Sequence, residues 1–175
     1  MIRIFISSVR SEFAEERQRL YDYIRTDALL KLFFEPYLFE ANPASDSKTQ
    51  DLFLSAAEES EIYVGIWGCL SGNVAEGEKS PTELEYDAAS AKNRYRIIFV
   101  KELGEGETRD SRETALIRRA EGEVVRKKFT DYEEWDSLCG LSVIAMLDSD
   151  YGMTMKNKEI LEFDSIGDFC KAVIK

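Results

Sequence analysis

The sequence predicts a three-layer α/β domain, in which a central parallel sheet of five strands carries helices on both faces. Short apolar segments of strand length alternate with amphipathic helices through the first 129 residues, the pattern of repeated strand–helix–strand units. The segment Ile62-Tyr63-Val64-Gly65-Ile66-Trp67 is continuously apolar, as expected at the centre of a parallel sheet. Right-handed crossovers then give the flavodoxin-like strand order 2-1-3-4-5.

Local signals define the elements in turn. The first strand is short, β-branched and aromatic, and Ser11 suits the N-cap of the helix after it. Pro36 lacks an amide donor and therefore places the second strand at an edge or a bulge. In Ser80-Pro81-Thr82-Glu83, a serine at the N-cap, a proline at the first helical position and a glutamate at the third form a capping box. The predicted strands cover residues 3–7, 33–39, 62–67, 96–100 and 124–129, and the predicted helices cover residues 11–30, 49–59, 81–92 and 111–120.

The chain divides into a domain over residues 1–129 and an extension over residues 130–175. The extension is less regular, with a helical pattern over 132–147 and shorter strand and helix patterns over 159–163 and 166–174. We expect it either to pack on the domain or to lead into a linker.

Composition excludes several classes of function. The formal net charge of -11 disfavours binding to nucleic acid or to an anionic membrane surface. No apolar run has the length needed to span a bilayer, and three irregularly spaced cysteines indicate neither a disulfide framework nor a zinc site. A cytoplasmic location is the simplest expectation. The absence of histidine excludes every catalytic triad that contains it and removes the commonest general base and zinc ligand.

The candidate ligand site lies where the strand order reverses, beyond the carboxyl ends of the first and third strands. The first strand brings Ser7 and Ser8 there, and the third brings Trp67 and Gly68 with the loop that follows. The helix that starts at Pro81 adds free amides and a dipole that favour an anion. Trp67, like the neighbouring aromatic residues of the strands, is also expected in the core, and the two serines could equally satisfy loop amides.

Three acids on that helix differ in their expected roles. Glu83 is explained by the capping box, and Asp87 is expected to face solvent. Glu85 lies beside Leu84 and Ala88, which are expected to face the sheet, so its carboxylate needs either an ion-pair partner or a function. Two further side chains have structural explanations. Arg17 lies on an apolar helix stripe and can extend its charged tip to a carboxylate, and Cys69 has no visible group that would lower its thiol pKa.

Several segments in order resemble the TIR-like domain of unknown function DUF4062 over about residues 1–129. They are Ile4-Phe5-Ile6-Ser7-Ser8, Phe13 with Glu16-Arg17, Pro43-Ala44-Ser45, Ser60 through Gly68, Ser80 through Tyr86, and Arg96 through Lys101. The chain departs from that pattern at Ser71, where relatives often carry an aromatic residue, and in the tail after Phe129. The resemblance implies an N-terminal module of a larger prokaryotic signalling or defence-type protein.

The chain is also similar, more distantly, to TIR domains and nucleoside deoxyribosyltransferases. In both, a glutamate on the helix after the third strand acts at an N-glycosidic bond. The deoxyribosyltransferase pattern of a threonine followed three residues later by a glutamate matches Thr82 and Glu85. The resemblance thus implies a catalytic role for Glu85 and a binding role for Thr82. The other candidate ligand-binding residues are Ser7, Ser8, Arg17, Trp67 and Gly68.

Two functions follow as hypotheses. The first is a signalling and interaction module that self-associates or docks onto a neighbouring domain, with a nucleotide site at the strand rim. The alternative is an enzyme that cleaves the N-glycosidic bond of NAD or a nucleoside through Glu85. No metal is expected and no cofactor is assigned, and NAD or another nucleotide is a candidate ligand.

Overall fold

The strands and helices alternate along the chain as the sequence predicts. The computed structural model describes residues 1–27, 30–41, 49–72, 77–124 and 126–130, and Met1–Thr130 form one compact unit. The predicted extension therefore lies outside the described residues, apart from Thr130. The strands are β1 Ile2–Ser8, β2 Phe34–Tyr37, β3 Ile62–Trp67, β4 Tyr95–Lys101 and β5 Arg126–Phe129. The helices are α1 Arg10–Thr26, α2 Leu30–Phe33, α3 Thr49–Glu59, α4 Pro81–Ala91 and α5 Ser111–Glu121, with a 3₁₀ turn over Phe39–Ala41.

The five strands form one parallel sheet in the order β2-β1-β3-β4-β5, which confirms the predicted fold class. β2 lies at an edge of the sheet, where the missing amide of Pro36 does not interrupt the hydrogen bonds between central strands. In the register between β1 and β3, Ser7 lies opposite Gly65 and Ser8 opposite Ile66. The carboxyl ends of β1 and β3 therefore meet at one rim of the sheet.

Strand alternation separates two apolar layers. On one face, Phe5, Tyr63 and Trp67 pack in a cluster with apolar residues of α3, α4 and α5. All three aromatic residues are buried, as predicted, and the Trp67 ring meets the Tyr86 ring edge-on with centroids 5.2 Å apart. On the other face, α1 contributes a buried stripe that consists of Phe13, Arg17, Leu20 and Ile24. Ser7 and Ser8 consequently point to opposite faces of the sheet.

The beginning and the end of the predicted first helix were wrong. α1 starts at Arg10 with Val9 at the N-cap position and no side-chain cap, and the backbone leaves helical geometry at Phe13, with φ -127° and ψ 33°. The first turn is thus set by the end of β1 rather than by Ser11. The helix ends at Thr26, and the Asp27 carboxylate then accepts a hydrogen bond of 2.9 Å from the amide of Leu30, where α2 begins.

The second and fifth strands are shorter than predicted. Phe33 ends α2, and Phe39 begins the 3₁₀ turn, so β2 keeps only four residues. β5 begins at Arg126 rather than at Val124. None of the described helices is long and apolar enough to cross a membrane.

Candidate functional site

A cavity of about 460 Å³ opens at the rim of the sheet, beyond the end of β1. Its walls come from Ser8 and the first turn of α1, the 3₁₀ turn after β2, Phe53 of α3, the loop after β3, the first turns of α4, and Asp110 before α5. This is the position at which an open parallel sheet binds ligands. Among the described residues, no group of three or more acidic or cysteine side chains could hold a metal ion.

Glu85, on α4, is one of the acids that line this cavity. It is half-buried, and its Oε2 accepts a hydrogen bond from the hydroxyl of Ser7. Burial raises the pKa of Glu85 to about 7, the Ser7 hydrogen bond and the charge of Arg17 oppose that rise, and Glu40 adds to it. No basic side chain forms an ion pair with Glu85 among the described residues, so the predicted alternative of an ordinary ion pair is wrong there. The fully buried residues of α4 are Thr82, Tyr86 and Ala89. Of the two residues predicted to face the sheet, Ala88 packs partly buried against the core cluster, and Leu84 is partly buried.

Two further polar groups lie behind Ser7, inside the core. The hydroxyl of Tyr63 and the indole Nε1 of Trp67 are buried and have no hydrogen-bond partner among the described residues. Burial and the charge of Glu85 raise the pKa of Tyr63 well above its usual value, while Ser7 and Trp67 lower it. The tyrosine therefore stays neutral.

Arg17 joins two edges of the cavity. It is only 5% exposed. One terminal guanidinium nitrogen donates to the backbone carbonyl of Ser8 at 2.7 Å and to its hydroxyl at 3.2 Å, and the other donates to Oε2 of Glu40 at 2.7 Å. The apolar stem lies in the buried stripe of α1 and the charged tip reaches a carboxylate, as predicted.

The loop after β3 is held against the cavity by long-range contacts. The carboxylate of Glu12 accepts hydrogen bonds from the amides of Cys69 and Leu70 at 2.7 and 2.9 Å. A Cβ at position 68 would overlap that carboxylate, so Gly68 is needed for this close approach. Burial and the nearby Glu12 raise the pKa of the Cys69 thiol, which agrees with the inert thiol expected from the sequence.

The other two acids of α4 belong to its outer surface. Ser80 caps the helix as predicted, since its hydroxyl accepts a hydrogen bond from the amide of Glu83. The carboxylates of Glu83 and Asp87 both contact Arg119, at 3.3 and 2.7 Å, and Asp87 also contacts Lys79 at 2.6 Å. Asp87 thus lies on the outer surface, as expected, with 30% of its side chain exposed, and it forms ion pairs there with two cations.

The structure brings most of the predicted site residues together. Ser8, Arg17, Thr82 and Glu85 line the cavity, while Ser7 lies one layer behind, bonded to Glu85. Trp67 and Gly68 are absent from the lining: Trp67 is packed against Tyr86, and Gly68 lies against Glu12 and Phe13. The strand alternation that places Tyr63 in the core also directs Trp67 there.

Sequence reasoning missed several lining residues, chiefly Arg10, Phe39, Glu40, Phe53 and Asp110. One signal could have identified Glu40. It follows the second strand, and the ends of neighbouring parallel strands meet at one rim. Nothing local distinguishes it from the many other acids of the chain.

Comparison with known proteins gives a structural relative and a family. The structure of the CMP N-glycosidase BcmB of Clostridium botulinum matches with a TM-score of 0.51 and 18% sequence identity, covering 80% of this chain and 98% of that one. At that identity the likeness establishes the α/β fold. No curated protein matches the chain significantly. The profile of the domain of unknown function DUF4062 matches residues 3–145, which extends past the predicted limit at residue 129. The chain therefore belongs to the DUF4062 family.

Proposed function

We propose that this domain binds a nucleotide or nucleoside in the rim cavity and cleaves its N-glycosidic bond with the help of Glu85. The observation that carries the proposal is the state of that side chain. Glu85 lines a cavity large enough for a nucleotide, its carboxyl is held by Ser7, and its pKa of about 7 lies near the working pH. A group with such a pKa in a cleft is typical of catalytic acids and bases.

The walls of the cavity suit the three parts of a nucleotide. The rings of Phe39 and Phe53, which meet edge-on at 6.3 Å, offer an apolar surface for a base. The first turn of α1 offers backbone amides and Arg10 for an anionic group, and no acid pairs with Arg10 among the described residues. The ribose then lies between these ends, over Ser8, with its anomeric carbon near Glu85.

The reaction is hydrolysis at the anomeric carbon. The bond from that carbon to the base nitrogen breaks with its electron pair leaving on the base, and water adds to the carbon and loses a proton. The departing base takes up that proton, or solvent does when the base leaves neutral, as nicotinamide does. The ionised form of Glu85 stabilises the positive charge that develops on the ribosyl ring, as carboxylates do in glycoside hydrolysis. Ser7 holds Oε2, which leaves Oε1 for the substrate.

BcmB is described as a CMP N-glycosidase, so its similarity supports this proposal. Because the two chains are only 18% identical, that support comes through the shared fold alone. The test incubates the full chain and its Glu85→Gln variant with NAD, CMP, AMP and the corresponding nucleosides, and measures the released base by chromatography. We expect at least one compound to be cleaved by the wild-type protein, and we expect the variant to lose that turnover. Turnover that survives the substitution would contradict the role of Glu85.

The alternative function as a signalling module, with self-association or a neighbouring domain as partner, stays a prediction. If the wild-type protein cleaves none of the compounds, that function becomes the better account of the domain. Removal of residues 1–129 from the full-length protein should then abolish assembly.

A further inference from the structure

A second carboxylate faces the same cavity as Glu85. Glu40 lies in the 3₁₀ turn that follows β2, and its side chain is 21% exposed. Arg17 holds its Oε2 at 2.7 Å, and no contact of Oε1 is seen among the described residues. Each of the two acids therefore has one oxygen fixed by the protein and the other available to a ligand.

The contacts of Arg17 fix where Glu40 lies relative to the rest of the cavity. The same guanidinium that binds Glu40 also binds the carbonyl of Ser8 at the end of β1. Glu40 thus approaches the end of β1 from the β2 side, while Glu85 is bonded to Ser7 of the same strand from α4. A sugar over the end of β1 would lie between the two carboxylates.

The chemistry of Glu40 suits hydroxyl groups. An ionised carboxylate only accepts hydrogen bonds, and the cis-diol of a ribose offers two donors. Dinucleotide-binding domains of another α/β fold place an acid at the corresponding end of the second strand for the ribose 2′-hydroxyl. Because Arg17 already holds Glu40, little side-chain freedom remains to be lost when the sugar binds.

We infer that Glu40, positioned by Arg17, binds the ribose hydroxyls of the ligand, so the site selects ribonucleotides over 2′-deoxyribonucleotides. This inference rests on the proposed function, because it assigns the sugar class of the same ligand. Glu40 is the residue that determines this preference, and Arg17 is a positioning residue that acts through it.

The test measures binding by calorimetry in the Glu85→Gln background, where no substrate is consumed. The probes are CMP, UMP, AMP and GMP with their 2′-deoxy counterparts. For each nucleotide that binds, we expect the ribo form to bind about 10- to 100-fold more tightly, the range of a hydrogen bond to a charged group. Adding Glu40→Gln should remove most of that preference. Adding Glu15→Gln should retain it, because Glu15 is an exposed acid that pairs with Arg19 and does not line the cavity.

The outcomes separate the two claims. Binding without a preference for ribose, or a preference that survives Glu40→Gln, overturns the inference and leaves the proposed function intact. The inference is also overturned if Glu40→Gln weakens binding only of nucleotides whose base carries an exocyclic amino group, because Glu40 would then contact the base. Failure of every probe to bind overturns the inference and also counts against the proposed function. If Glu40→Gln unfolds because Arg17 is left unpaired, the double change Arg17→Met with Glu40→Gln removes both charges and allows the same comparison.

Discussion

Glu85 on α4 and Glu113 on α5 are both acids on the inner side of a helix, yet their surroundings differ. Glu113 is 1% exposed, both of its carboxyl oxygens lack a partner among the described residues, and burial with the nearby Glu12 raises its pKa to about 8. Glu85 has a similarly raised pKa of about 7, but it accepts a hydrogen bond from Ser7 and lines a cavity. Glu113 does not line that cavity. A raised pKa therefore identifies burial, whereas access to a ligand and a group that orients the carboxyl identify a candidate site.

The largest expected difference between the two acids is in turnover. Glu85→Gln should lower kcat/KM by about 10³-fold, within the range for loss of a group that stabilises charge in the transition state. Glu113→Gln should leave kcat/KM near the wild-type value, because no ligand in the cavity can reach that side chain. Both variants are assayed side by side on whichever compound the wild-type protein cleaves. Equal losses of kcat/KM in the two variants would show that a place in the cavity lining does not distinguish Glu85 from Glu113.

The next difference concerns stability and its dependence on pH. Both carboxyls keep their protons to higher pH in the folded chain than in the unfolded chain, so the free energy of unfolding falls as pH rises from about 4.5 toward 7 for Glu85 and toward 8 for Glu113. At pH 8, Glu113→Gln should stabilise the domain by about 2–4 kcal/mol and Glu85→Gln by about 1–3 kcal/mol.

Denaturant unfolding at pH 4.5 and pH 8 measures both effects. The gain should nearly vanish at pH 4.5, where each acid is largely protonated in the folded chain. A gain of the same size at both pH values would mean that a difference in side-chain packing, and not the cost of keeping the acid neutral, raises the free energy of unfolding of the variants.

The smallest predicted effect is a shift of the pH profile. Because the ionised form of Glu85 is the active one, kcat/KM should rise with pH and reach half its maximum near pH 7. Ser7→Ala removes a hydrogen bond that lowers the pKa of Glu85, so the midpoint should move up by about 0.5 to 1 pH unit. Ser60→Ala is the matched control, since Ser60 is a buried serine that donates to the carbonyl of Ala56 instead. A midpoint that moves down, or moves equally in the control, would contradict the assigned hydrogen bond.

Local sequence signals predicted the elements of the fold well because they depend on near neighbours. The start of α4 is an example, since Ser80 and Pro81 specify it without help from the rest of the chain. The continuous apolar pattern of β3 likewise fixed its bounds. The errors lie where a distant contact decides the backbone, as at the predicted N-cap Ser11, where the end of β1 starts the helix two residues earlier.

The candidate site was only partly predictable, because its partners come from distant parts of the chain. Glu85 was found from its place beside the apolar side of a helix. Its partner Ser7 could not be distinguished from Ser8, because the sequence does not show which of the two serines points to the face of the sheet that α4 covers. The pairing of Arg17 with Glu40 joins α1 to the turn after β2, which no local pattern encodes. Glu113 could have been found, since its spacing from the buried Leu116 and Ile117 puts an acid on the apolar stripe of α5.

The most direct test of the central claim is a pH titration of both carboxyls by NMR, with and without a nucleotide. The side-chain carboxyl carbons of Glu85 and Glu113 are assigned through the two Gln variants, and CMP and NAD serve as probes. We expect a bound probe to change the titration midpoint of Glu85 and to leave that of Glu113 unchanged. If both midpoints stay the same at saturating concentrations of a bound probe, or if both change together, the cavity around Glu85 is not the ligand site.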